Sequence, residues 1–275
     1  MAGNEIMGIL EALHAEIRKR GGDPDALKTI GAFDPNDPSF AAKLPYYRRL
    51  IKIIQSRFEK QATWIRHQLE LFYSNHPQKA AITPPIDWID SPALWNDPEF
   101  MADLVIVLRD AALSGVDLFR QASAIGVDYT LVNSGAVQWA QNYAFDLVKG
   151  IDATTREALQ QSISAFANTP GMTIGDAMNM MPFDAVRAQM VATTEITRAY
   201  ARANQLAGEK LKQEFPDVKV VKIWSTNNDD RVCDICGPLN TKEVDIDEDF
   251  APDISAPPAH VNCRCWMSTR TRING

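Results

Sequence analysis

The chain has 275 residues, 45% of them hydrophobic and 23% charged, with a formal net charge of −7. That is length enough for one large domain or two modest ones, with the composition of an ordinary globular protein. The acidic balance argues against a surface built to coat nucleic acid. No apolar run reaches the roughly 18 residues of a membrane-spanning helix, so no membrane partner is expected.

The opening residues are amphipathic and acidic rather than basic then apolar, which does not read as a secretory leader. Ile6, Ile9, Leu10, Leu13 and Ile17 predict a short helix over 4–20, stopped by Gly21 and Gly22. Four prolines between 21 and 45 suggest an arm with little regular structure. A long helix is expected from Tyr46 to Tyr73, with Leu50, Ile51, Ile54, Phe58, Ile65, Leu69 and Phe72 on one apolar stripe. Its near half is basic, through Lys43, Arg48, Arg49, Lys52, Arg57, Lys60 and Arg66. Such a run is a solvated face or a docking surface for DNA or an acidic protein. No aromatics interleave the cations on that face, so it does not by itself indicate nucleic-acid binding.

Asp97 followed by Pro98 marks a helix start, and that helix should run to about Ala124 with Gly115 as a weak point. A further helix is expected over about 134–148, ended by Gly150. Thr154 and Glu157 then read as a capping box for another over 155–167. Thr173 and Asp176 cap a short helix, and Pro182 opens a long one to about Glu214. On that helix Glu195, Arg198 and Arg202 share a face, either as an ion-pair ladder or as an anchor for the region that follows. Beyond Pro216 the pattern turns β-branched: residues 218–224, 241–246 and 266–269 read as about three strands, with an acidic, solvated loop over 243–253. The fold class is therefore α+β, a mostly helical body with a small C-terminal β module. The expected divisions are 1–95, an N-terminal helical arm; 96–215, the helical body; and 216–275, the β module.

All four cysteines of the chain fall in this module: Cys233 and Cys236 in C-x-x-C, Cys263 and Cys265 in C-x-C, with His260 three residues before Cys263. A C-x-x-C turn can present two sulfurs to one ion, and Gly237 after it is placed where a positive φ is useful. H-x-x-C-x-C offers three more donors, so five candidates compete for four corners of a tetrahedral zinc. The 23 residues at 237–259 separate the two clusters, an ordinary loop if a hairpin fills it. The alternatives are disulfides, strained at such short spacings, or buried free thiols. A sulfur-rich site is usually closed, which favours a structural over a catalytic zinc. No H-E-x-x-H, P-loop or nucleophile elbow is present, and His14, His67 and His76 lie far along the chain from the cysteines.

Taken together, the helix carrying Thr194-Glu195-Ile196-Thr197-Arg198-Ala199, the strand ending in Trp224, the D-D-R-V-C-D-I-C-G-P-L run at 229–239 and P-P-A-H-V-N-C-R-C at 257–265 resemble the phage Mu protein F-like family of minor head proteins. The resemblance covers about residues 100–269 and is most specific at its end. Where the family often has A-R-T-E, this chain has Ala192-Thr193-Thr194-Glu195, and many members lack the first cysteine pair. Metal binding is thus read from the ligand count, not from the family. What the resemblance implies is a non-enzymatic virion component that associates with the portal or major capsid protein and assists head assembly or DNA packaging and delivery. Direct DNA contact through the basic helix between Arg48 and Arg66 is a further possibility. The rival expectation is a zinc-dependent or effector enzyme (hydrolase, nuclease or ADP-ribosyltransferase), with Glu195, Arg198 and His260 as its polar groups.

Overall fold

The computed structural model describes residues 36–75, 86–123, 128–169, 171–230 and 232–273. The helix expected over 4–20 and most of the arm over 21–45 lie outside the described residues. Within them the architecture is the expected one, a helical body with a three-stranded antiparallel sheet near its C-terminal end.

Helix α1 spans Phe40–Asn75 and starts earlier than the prolines suggest. Asp37 sets its first turn, accepting from the Ser39 amide at 2.8 Å and from the buried Lys43 ammonium at 2.5 Å. Pro45 then lies inside the helix, where its missing N–H removes one backbone bond close to the start. The apolar stripe is buried as the spacing requires, with Leu50, Ile54, Ile65 and Leu69 at zero exposure. After a 3₁₀ turn at Ile86–Asp90 come the short α2 (Pro92–Trp95) and then α3 (Pro98–Ser123). Asp97 caps α3 through the Phe100 amide at 3.0 Å.

Helix α4 runs unbroken over Tyr129–Asn168, where the sequence suggested two helices. A glycine inside a helix costs only about 1 kcal/mol, and Gly150 has ordinary helical backbone with open space around it. The Thr154 hydroxyl does not cap. It donates back to the Gly150 carbonyl at 3.0 Å and accepts from Arg187 at 2.8 Å. Asp128 is the N-cap instead, through the Thr130 amide. The capping box of Thr173 and Asp176 on α5 (Ile174–Asn179) is present. Helix α6 covers Ala185–Glu214; its cap is Asp184, not Pro182, with the Arg187 amide donating at 2.7 Å.

Helix α6 is the axis of the molecule, packing on α1, α3 and α4 and on the sheet. That many neighbours explain its small residues: Ala188, Ala192, Ala199, Ala203 and Ala207 are fully buried. At Gly115 of α3 an added Cβ would lie 2.8 Å from the Ala203 Cβ, so the expected weak point is a close helix crossing. The sheet consists of β1 (Val218–Ser225) between β2 (Glu243–Asp245) and β3 (Trp266–Ile273), all antiparallel. It seats on α6 at Gly208, where a Cβ would meet the Ile246 side chain at 2.7 Å. Lys222, fully buried on β1, is satisfied by the Gln205 side chain at 3.0 Å and the Ser255 carbonyl at 2.8 Å. Three cores result. The largest joins α1, α3, α4, α6 and the sheet. A second lies under the far halves of α1 and α4, and the third surrounds Trp224 and the cysteines.

Candidate metal centre

Two loops make the site. The first follows β1: the Cys236 and Gly237 amides both donate to the Cys233 carbonyl, at 3.1 and 2.9 Å, closing a tight turn. Gly237 opens a short 3₁₀ turn, Gly237–Leu239, and does not take the positive φ expected of it. The second loop precedes β3 and turns at His260, whose carbonyl accepts from the Cys263 amide at 3.2 Å. Here the positive φ falls on Asn262, at 61°, a residue type that tolerates it.

Both loops are held by protein groups alone. Arg264 grips Asp229 with two bonds of 2.7 Å, joining the loops to each other. The Asn262 amide donates to the Thr194 hydroxyl on α6 at 2.9 Å, and that hydroxyl donates in turn to the Met190 carbonyl at 2.7 Å. Beneath them Trp224 is fully buried, edge-on to Phe250 at 5.2 Å. Sequence reasoning missed Thr194 and Asp229, because each acts on a partner far along the chain.

The five donors converge. Nε2 of His260 lies 3.1 Å from the Cys233 sulfur and 3.4 Å from that of Cys236, and the Cys236 and Cys263 sulfurs are 3.7 Å apart. They form two triads, Cys233–Cys236–His260 and Cys236–Cys263–Cys265, each with its donor atoms within 4.8 Å of one another. Tetrahedral zinc has Zn–S near 2.3 Å and Zn–N near 2.0 Å, placing its corners roughly 3.5–3.8 Å apart. The observed spacings sit close to those edges and far from a disulfide; all four cysteines are free. Crowding shows in their acidity. Cys236 is pushed far up by its contacts with Cys263 and Cys265, while Cys263, which those two thiols hydrogen-bond, is drawn down to about 2. Packed sulfurs cannot all ionise without a cation among them. The cluster can therefore hold a metal ion, and its donor set suits a borderline-soft one.

Of the polar groups in the enzymatic reading, Glu195 and Arg198 pair with each other on α6, and His260 lies among the cysteines. Glu195 is buried and pairs with Arg198 at 3.2 Å, whereas Arg202 reaches Glu209 at 3.9 Å and not Glu195. Burial pushes the Glu195 carboxyl above the ordinary range, with Arg198 and Tyr143 opposing. The basic helix is largely consumed internally. Lys43 pairs with Asp37, Arg57 with Asp152, Arg49 with Asp110 and Lys60 with Asp97.

Residues 147–268 match the family model described as Phage Mu protein F like protein. That part of the chain is similar to the Mu F-like family. The match spans the second half of α4, α5, α6 and the sheet up to the start of β3, so both loops of the Cys/His cluster lie inside it. Neither a curated protein nor a solved structure matches the chain. The Mu F-like match points to a phage head protein. Among the described residues no helix is long and apolar enough to cross a membrane.

Proposed function

We propose that this chain is a minor head protein of a tailed phage or prophage, resident in the virion and acting by contact with the portal or major capsid protein during head assembly and DNA packaging or delivery. The observation that carries the reading is the Mu F-like match over 147–268, which takes in α6 and both cysteine loops. On this reading the long helices offer contact surface, and the C-terminal module presents a fixed shape through a structural zinc in the Cys/His cluster. A three-stranded sheet with an eight-residue central strand buries little by itself, and closing metal sites contribute most in such small modules.

Support for a non-enzymatic role comes from the site. The cavity among the sulfurs has a volume of about 30 Å³, room for an ion or a water and not for a substrate. Support for DNA contact is thinner, since Lys43 and Arg57 are buried in ion pairs, and of the exposed cations of the run Arg49 and Lys60 pair with Asp110 and Asp97.

The test is quantitative mass spectrometry of purified procapsids and mature virions from a phage encoding the chain, beside a deletion of its gene. The reading expects a low-copy protein in the particle and defective heads in its absence. A chain missing from both particles, with normal heads in the deletion, contradicts it.

A further inference from the structure

We infer that the ion is held by Cys233, Cys236, His260 and Cys265, and that Cys263 stays outside the coordination sphere as a buried sulfur packed against that of Cys236. The inference rests on the metal-clip reading above and goes further by choosing four donors among five.

His260 comes first. Its Nδ1 lies 2.8 Å from the Val261 carbonyl, an acceptor only, so Nδ1 carries the proton and donates. Nε2 is then a bare lone pair, and it faces the Cys233 and Cys236 sulfurs at 3.1 and 3.4 Å. Metal-bound histidines are oriented in this manner, one ring N–H on a carbonyl and the other nitrogen on the ion. Three corners are thereby set. The fourth must be a sulfur from the C-x-C pair, and the cavity decides which. The space of about 30 Å³ is lined by Cys233, Cys236, His260 and Cys265, with Asn262 and Arg264 at its side; Cys263 does not line it. Cys263 is instead 1% exposed and packed into the core around Trp224. A second feature points to Cys265. The indole N–H of Trp224 is buried, finds no close acceptor and turns to the Cys265 sulfur in that same core. A thiolate at Cys265 gives it an acceptor, and thiolate ligands to metals are commonly supported by such donors. The site is thus S₃N, closed by protein, with the Asp229–Arg264 pair keeping its two loops together.

The probe is cobalt(II), titrated into metal-free full-length protein, with zinc as competitor and X-ray absorption at the zinc edge on the wild type. Uptake of one cobalt with the visible bands of a tetrahedral site, and three sulfurs with one nitrogen around zinc, are expected. Cys263→Ala, and Cys263→Ser as its second version, should keep the stoichiometry, spectrum and affinity. Cys265→Ala and His260→Ala should lose more than about a hundredfold in affinity, beyond the loss typical of a supporting contact. Circular dichroism of each variant separates lost binding from lost helices. Four sulfurs around zinc, or an ion lost from both Cys263 variants and kept in Cys265→Ala, overturns the assignment and leaves the clip standing. No ion taken up by the wild type removes the clip itself.

Discussion

At the residue scale, two positions show how closely α6 is fitted to its neighbours. Gly115 and Gly208 leave no room for a side chain, since a Cβ would come within 2.8 Å of Ala203 and 2.7 Å of Ile246. Gly115→Val and Gly208→Val are each expected to lower unfolding free energy by about 1–3 kcal/mol, the usual cost of overpacking, as read from chemical denaturation. Gly208→Val should loosen the sheet more than the helices, since Ile246 belongs to the β module. Glu195 gives a pH signature. Its folded pKa lies above the ordinary carboxylate value, so its contribution favours the fold at low pH and is lost as pH rises through the raised value. Glu195→Gln should flatten the stability profile from that ordinary value upward and leave the protein at least as stable at neutral pH. An unchanged slope would show that Arg198 fully offsets the burial. The candidate metal donors were legible in the sequence because C-x-x-C and H-x-x-C-x-C are local patterns. Thr194 and Lys222 were not, because their hydrogen bonds reach Asn262, Gln205 and Ser255 across the fold.

At the element scale, periodicity located the long helices, and capping chemistry fixed their ends where the cap was local. Asp97 and the Thr173–Asp176 box acted as their positions promised. Gly150 and Thr154 misled because local stop signals are weak beside a helix packed along its length, and Thr154 turned to Arg187 instead. This makes Gly150 diagnostic. With nothing within 4 Å of an added Cβ and no positive φ, Gly150→Ala should raise stability by about 0.4–1 kcal/mol in thermal or denaturant unfolding. A destabilising result would mean that the helix ends there after all. Asp184→Ala should cost about 1 kcal/mol through loss of the α6 cap. Pro182→Ala, at the position the sequence first suggested, should do much less.

At the scale of the whole molecule, one helix carries both the body and the module that the sequence placed in separate divisions. The Mu F-like match follows that helix into the sheet, while α1 and α3 share its largest core from outside the match. The order and class of the elements could be read from the pattern of residues; the close crossings that join them could not, since they depend on which alanines and glycines meet. The account rests on an ion drawing two loops together at the end of this assembly. The most direct measurement is the zinc content of full-length protein purified without added metal, paired with thermal unfolding before and after chelation. The account predicts one zinc per chain, and on chelation an early loss of the β module while helical signal persists. Protein free of metal, with four reactive thiols and a melting curve indifferent to chelator, would contradict it.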